Sequence, residues 1–96
     1  MLNSIIMSEL KSLPNIGKEL EKLLRQVEIS NAEELKQVGS ENAFIRIKTI
    51  DPSACISKLC ALEGAVQGIR WHNLSNERKQ ELKEFLKMVE KANKTN

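Results

Sequence analysis

At 96 residues, with 41% hydrophobic and 29% charged residues, the chain has the size and composition of one globular domain and not of a disordered polymer. Its formal net charge of +2 is too small to mark a strong polyanion binder, so any nucleic-acid contact would depend on a local basic patch. The leading stretch MLNSIIMSEL is too short and too polar for a secretory signal, and no apolar run reaches the length of a membrane span, which favours a cytoplasmic protein.

The N-terminal third predicts two helices joined by a turn. A short helix over about Ser4–Leu13 ends before Pro14, because a residue that precedes proline is pushed out of the α region. A second helix, Lys18–Val27, has an apolar stripe at helical spacing, formed by Leu20, Leu23, Leu24 and Val27. Strands have little support, since none of the dipeptides typical of tight hairpins occurs.

Two capped segments follow. In SNAE we expect a capping box, in which Ser30 caps the Glu33 amide and Glu33 reaches back, and the helix then ends at Gly39. The next segment, SENAFIRIKTI, is expected to be a helix capped by Ser40. Its β-branched residues leave a strand as the competing interpretation.

The longest predicted helix opens with Asp51 as N-cap and Pro52 at the first helical position, and it ends near Gly68. It is apolar around most of its circumference, so we expect it to form the core, with Gly64 allowing a neighbouring helix to approach closely. The last helix is capped by Ser75 and buries a stripe formed by Leu82, Phe85, Leu86 and Val89.

These elements predict an all-α protein, a compact five-helix bundle of helix-hairpin-helix (SAM-like) character. Residues 1–12 form an N-terminal helix or lead, residues 13–92 form the domain, and the polar residues 93–96 form a loose tail.

The turn in LPNIGKELEKLL is the first candidate site. In a helix-hairpin-helix unit the amides at the start of the second helix, together with the helix dipole, form a site for a DNA phosphate. Here the candidate contacts to the DNA backbone are Asn15, Ile16, Gly17, Lys18 and Lys22, with Ile16 pointing inward and Lys18 at the rim. Asn15 stands where such units usually have a glycine, and asparagine tolerates left-handed backbone. The alternative is a purely structural corner between two helices.

The segment GIRWHNL is the second candidate site, because it contains the only tryptophan and the only histidine of the chain. Arg70, Trp71 and His72 could form a protein-interaction patch, since aromatic and arginine residues contribute much of the energy of interfaces. Alternatively, Trp71 closes the core at this corner. No second metal ligand lies three or four residues after His72, so we expect no metal site there.

Three further residues favour structural roles. Glu63, a lone charge in an apolar helix, is expected to pair with Arg70 or Arg46, because an unpaired buried carboxylate is costly. Cys55 and Cys60 are expected to be small core residues without a mutual disulfide. No nucleophile and base, phosphate loop or metal cluster can be assembled, so we predict a protein that is not an enzyme and uses no cofactor.

The run DPSACISKLCALEGAVQGIRWHNLS, together with LPNIGKELEKLL, resembles the C-terminal domain of the TfoX (Sxy) family, over about Leu13–Phe85. The resemblance implies a regulatory module for natural competence, the uptake of DNA by bacteria, that acts with a transcription regulator such as a cyclic-AMP receptor protein. The family's usual form has another domain before this one. Two functions follow as hypotheses, namely a module that contacts the DNA backbone and a protein-interaction domain in which the turn is only structural.

Overall fold

The computed structural model describes residues 8–94. Within that range lie five α-helices: α1 (Lys18–Gln26), α2 (Ala32–Val38), α3 (Ser40–Ile50), α4 (Ile56–Gln67) and α5 (Asn76–Lys94). Single turns of 3-10 helix, Leu10–Ser12 and Trp71–Asn73, precede α1 and α5. The described residues contain no strand, which confirms the all-α prediction, and SENAFIRIKTI is a helix.

Helix α4 lies at the centre of the domain, as its apolar circumference predicted, and it packs against α2, α3 and α5. An aliphatic core surrounds it, in which Phe44 is the one fully buried aromatic side chain of the described residues. The largest of the fully buried aliphatic side chains are Leu10, Leu24, Ile29, Leu35, Ile47, Leu59, Leu62 and Leu82.

The predicted start of the central helix is wrong. The Asp51 N–H donates to the Ile47 carbonyl at 2.8 Å and so ends α3, and the Ala54 N–H donates to the Asp51 carbonyl at 3.0 Å. Asp51 and Pro52 therefore belong to a turn between two helices, and α4 begins only at Ile56, with Cys55 at the N-cap. The Asp51 carboxylate accepts a hydrogen bond from the Ser53 hydroxyl and does not cap the helix.

The cap of α2 is Asn31, one residue further along the chain than the predicted Ser30. The Asn31 side chain accepts the Glu34 N–H at 2.9 Å, and the Glu34 carboxylate accepts the Ser30 N–H at 2.7 Å. Glu33 instead accepts the backbone N–H of Ser8 at 3.0 Å. This contact fastens the start of the described chain to α2.

Two further predictions about helix starts need correction. Ser40 is the first residue of α3 and not its cap, and its buried hydroxyl contacts Glu63. The helix predicted over about Ser4–Leu13 is described only from Ser8, and there it is limited to the 3-10 turn Leu10–Ser12. The remainder of that prediction lies outside the described residues.

The helix ends in the C-terminal half follow their sequence signals. Gly68 has the left-handed φ of 76° and ends α4, and the Ile69 N–H returns to the Gly64 carbonyl at 2.9 Å in a Schellman motif. Ser75 caps α5 by accepting the Arg78 N–H at 3.0 Å, as predicted. Helix α5 continues to Lys94, so the tail predicted to be loose is still helical at Asn93 and Lys94, and its last two residues lie outside the described range. No helix within residues 8–94 is long and apolar enough to cross a membrane.

Candidate functional site

The turn before α1 is built from three residues with distinct roles. Asn15 has a left-handed backbone, with φ of 71°, which confirms that asparagine serves there in place of glycine. Ile16 is 7% exposed and points into the core, as predicted. Gly17 is the N-cap of α1 and has no side chain to accept the amides of the first helical turn. Those amides are consequently left to water or to an external acceptor.

The Asn15 side chain makes contacts that the sequence did not predict. Its Nδ2 donates to the carbonyl of Ile69 at 2.9 Å and, with a longer distance of 3.4 Å, to that of Ala61. Its Oδ1 accepts the backbone N–H of Trp71 at 3.2 Å. The two candidate sites of the sequence, the turn and the corner Arg70–His72, are thus joined by one side chain.

Gly64 makes room for this contact. A Cβ atom at that position would lie 2.5 Å from the Asn15 Nδ2 and 2.8 Å from the Ile69 carbonyl oxygen. Both distances are far below van der Waals contact. The close approach predicted at Gly64 is confirmed, but its neighbour is the turn and not another helix.

Charge near the turn is positive on one side of α1. Lys18, Lys22 and Arg25 line a shallow groove along this helix together with Glu21 and Gln26. Glu21 pairs with Arg25 at 3.3 Å, whereas Lys18 and Lys22 have no ion-pair or hydrogen-bond partner among residues 8–94. A second groove, at the start of α1, is lined by Gly17, Lys18 and residues of α4, among them Lys58, which pairs with Glu19 at 3.9 Å.

Lys48, on α3, does not extend this positive charge. Its ammonium group donates to the carbonyls of Pro52 and Ala54 at 2.7 and 2.6 Å and lies 3.6 Å from Glu90. Arg46 likewise donates to the Val27 carbonyl at 3.4 Å. These two cations are held by neighbouring backbone carbonyls and do not add to the positive charge of α1.

At the corner, Trp71 is 38% exposed and stacks on His72 with ring centroids 4.0 Å apart. The Lys79 ammonium lies 6.0 Å from the Trp71 ring and donates to the His72 carbonyl at 3.1 Å. The indole is therefore held from two sides yet open to solvent, and it is a partial lid rather than a core residue. Arg70 and His72 are exposed beside it.

Glu63 does form a buried ion pair, but neither predicted partner is correct. Its carboxylate lies 3.2 Å from the guanidinium of Arg78, the Ser40 hydroxyl donates to it at 2.5 Å, and the Gln67 amide donates at 2.6 Å. Burial raises the pKa of the Glu63 carboxyl, but these donors outweigh burial and bring the pKa below its ordinary value. Arg78 comes from α5, so the pair fastens α3, α4 and α5 together.

The two cysteines differ in environment. Cys60 is buried, as predicted, and burial raises the pKa of its thiol. Cys55 is exposed at the N-cap of α4, so the expectation of a core residue is wrong there. Both thiols are free, and within residues 8–94 no three histidine, cysteine or acidic side chains are grouped closely enough to hold a metal ion.

A family match and two similar proteins identify one family. The family described as the TfoX C-terminal domain matches residues 6–86. Protein Sxy of Escherichia coli is 34% identical over 76 residues, covering 79% of this chain and 36% of that protein. The DNA transformation protein TfoX of Haemophilus influenzae is 31% identical over 87 residues, covering 91% of this chain and 40% of the relative. The chain thus spans about two fifths of these relatives or less.

Two crystal structures from Listeria monocytogenes share the fold. A triclinic form superposes with a TM-score of 0.85 at 54% identity and covers 86% of this chain and 94% of that one. A tetragonal form, of a protein of unknown function, gives 0.82 at 54% identity and covers 84% and 99%. The family match over residues 6–86 includes both the turn before α1 and the corner Arg70–His72.

Proposed function

Because this chain belongs to the TfoX C-terminal domain family, we propose that it is a non-enzymatic regulatory module linked to DNA transformation, which contacts the DNA backbone through the turn before α1. One relative is named a DNA transformation protein, and that role is extended here to a chain that spans 40% of it. Such a regulator would act in the cytoplasm, where promoter DNA lies.

The observation that carries the proposal is the start of α1. Gly17 leaves the first-turn amides without a side-chain cap, and Lys18 and Lys22 stand beside them without partners among the described residues. Uncapped amides, a helix dipole and unpaired cations are the elements of an anion site. The left-handed Asn15 gives the turn the shape that glycine gives in helix-hairpin-helix units.

A contact of this kind would neutralise about two phosphates, one beside Lys18 and one beside Lys22. The logarithm of the binding constant then falls with the logarithm of salt concentration with a slope of about −2, which is roughly a tenfold loss between about 50 and 200 mM salt. The contact would be indifferent to base sequence, because phosphates carry no sequence information.

Fluorescence anisotropy of a labelled duplex, titrated with the protein across that salt range, tests the proposal. Lys18→Glu is expected to weaken binding and to lower the salt slope by about one. Lys87→Glu makes the same change of charge at an exposed lysine of α5 and serves as the matched control. Absence of binding at low salt, or equal losses in the two variants, would contradict a contact at the turn.

A second candidate function is supported by the exposure of Trp71. A stacked, solvent-open tryptophan beside Arg70 is a typical anchor of a protein interface. The cyclic-AMP receptor protein is the partner that the family resemblance implies. Calorimetric titration measures the affinity of that protein for the wild type and for the Trp71→Ala variant. We expect the variant to bind at least tenfold more weakly, and equal affinities would exclude the corner as the interface.

A further inference from the structure

The amide of Asn15 bridges two parts of the chain that are more than fifty residues apart. It contacts the Ile69 carbonyl and the Trp71 N–H, which flank one residue just after the end of α4. The orientation of the amide is fixed by chemistry, since a carbonyl can only accept and a backbone N–H can only donate. The Asn15 amide thus pairs with the backbone at Ile69 and Trp71 in the way that a neighbouring β-strand would, with one donated and one accepted hydrogen bond.

Two features of the sequence serve this bridge. The position needs a residue that adopts a φ of 71°, which glycine would meet equally well, but only a side chain with both a donor and an acceptor can make the bridge. On the opposite side, a Cβ at Gly64 would meet the Asn15 Nδ2 at 2.5 Å and the Trp71 Cα at 3.2 Å. Asn15 and Gly64 are thus fitted to each other.

We propose that Asn15 is a positioning residue that couples the turn before α1 to the corner Arg70–His72, so that a phosphate-bearing ligand at the turn changes the environment of Trp71. This inference rests on the proposed function, in that the ligand is the DNA backbone. A partner at the corner stabilises the bridged state and with it the geometry of the turn. By thermodynamic linkage, the turn ligand favours the corner partner by the same factor.

The proposed coupling requires that the bridge seen in the structure, its closed state, can also open. When the bridge is closed, the Asn15 side chain holds the backbone of the turn next to the backbone of Trp71. The amides of Gly17 and Lys18 lie two and three residues after Asn15, so their positions depend on the bridge. When the bridge is open, the turn before α1 and the backbone at Ile69 and Trp71 are no longer hydrogen-bonded to each other. Because the contacts are partly exposed to water, we expect a coupling at the low end of the usual range, about fivefold.

The single tryptophan reports on the coupling. During titration with a duplex of about 20 base pairs, anisotropy of the labelled DNA and emission of Trp71 are recorded on the same samples. In the wild type we expect the emission to change with the same midpoint as the anisotropy. In Asn15→Gly, which keeps the left-handed turn and removes the bridge, binding should persist with about fivefold lower affinity, and the Trp71 response should disappear. If the duplex binds the wild type without changing its emission, or if the emission response is undiminished in the variant, the proposal is overturned.

A second measurement needs no ligand, so it separates failure of the coupling from failure of DNA binding. Ile16→Ala loosens the turn next to Asn15, and Val38→Ala is a control in the partly buried layer of α2. Each substitution is made in two backgrounds, the wild type and Asn15→Gly. Ile16→Ala is expected to raise the acrylamide quenching of Trp71 about twofold in the wild-type background and not in the Asn15→Gly background. Val38→Ala is expected to leave the quenching unchanged in both.

If no duplex binds at any salt concentration, the DNA function fails and this cycle alone decides the coupling. Equal effects of Ile16→Ala in the two backgrounds would refute it. If Asn15→Gly does not fold, Asn15→Asp replaces it. The carboxylate still accepts the Trp71 N–H, but it has no donor for the carbonyls of Ile69 and Ala61.

Discussion

Replacement of Glu63 by glutamine tests the account of the buried ion pair most directly. The variant keeps the shape of the side chain and removes its charge, and Arg78 loses its buried partner at 3.2 Å. Breaking a buried pair usually costs about 3–5 kcal/mol. Arg78 retains Glu41 and Glu81 at 3.2 and 3.0 Å, so we expect a smaller cost than this range, about 2–3 kcal/mol at pH 7. In a domain of this size that lowers the Tm by roughly 10–20 °C.

The pH dependence gives the sharper result. The folded-state pKa of Glu63 lies below its unfolded value, so its contribution to stability is fully present above the unfolded pKa of about 4.3 and is lost as pH falls through the folded pKa. The difference between wild type and Glu63→Gln should therefore be largest at pH 7 and shrink below about pH 4.

Urea denaturation followed by circular dichroism, repeated from pH 7 to about 3.5, measures this difference. Glu81→Gln is the matched control, because Glu81 also pairs with Arg78 but is 63% exposed, and exposed pairs contribute less than about 1 kcal/mol. A Glu63→Gln effect as small as that of the control, or one that is unchanged at acid pH, would refute the role assigned to the buried carboxylate.

Three other predictions concern positions where the structure departs from, or refines, the sequence signals. Gly64→Ala is expected to cost about 1–3 kcal/mol in thermal denaturation, since its Cβ would lie 2.5 Å from the amide of the turn, and an unchanged Tm would mean that the turn moves freely. Asn31→Ala should lower the free energy of unfolding by about 1 kcal/mol, because its side chain caps α2. Ser30→Ala should change it very little, because Ser30 contributes only its backbone N–H. A larger effect of Ser30→Ala than of Asn31→Ala would support the cap predicted from the sequence instead. With Ellman's reagent, the exposed thiol of Cys55 should react quickly and the buried thiol of Cys60 only as the domain opens, whereas two fast thiols would contradict the burial of Cys60.

Local signals in the sequence were reliable where one residue decides the backbone. Gly68 ends its helix in the left-handed region, Ser75 caps α5, and Asn15 adopts the left-handed turn. They were misleading where several neighbouring residues compete for one role. The sequence predicted a cap formed by Ser30 and Glu33, whereas in the structure Asn31 caps α2 and Glu33 instead accepts the N–H of Ser8, 25 residues away.

The sequence by itself determined that this chain is an all-α domain built on one apolar helix, because hydrophobic period and helix breakers are local properties that no distant residue can supply. The family resemblance carried by the run from Asp51 to Ser75 was also present in the sequence alone. Only the tertiary structure decided the partners of its polar side chains. Arg78 rather than Arg70 or Arg46 neutralises Glu63, and Asn15 reaches Ile69 and Trp71, because hydrogen bonds and ion pairs depend on distances of a few ångströms between segments far apart in the chain.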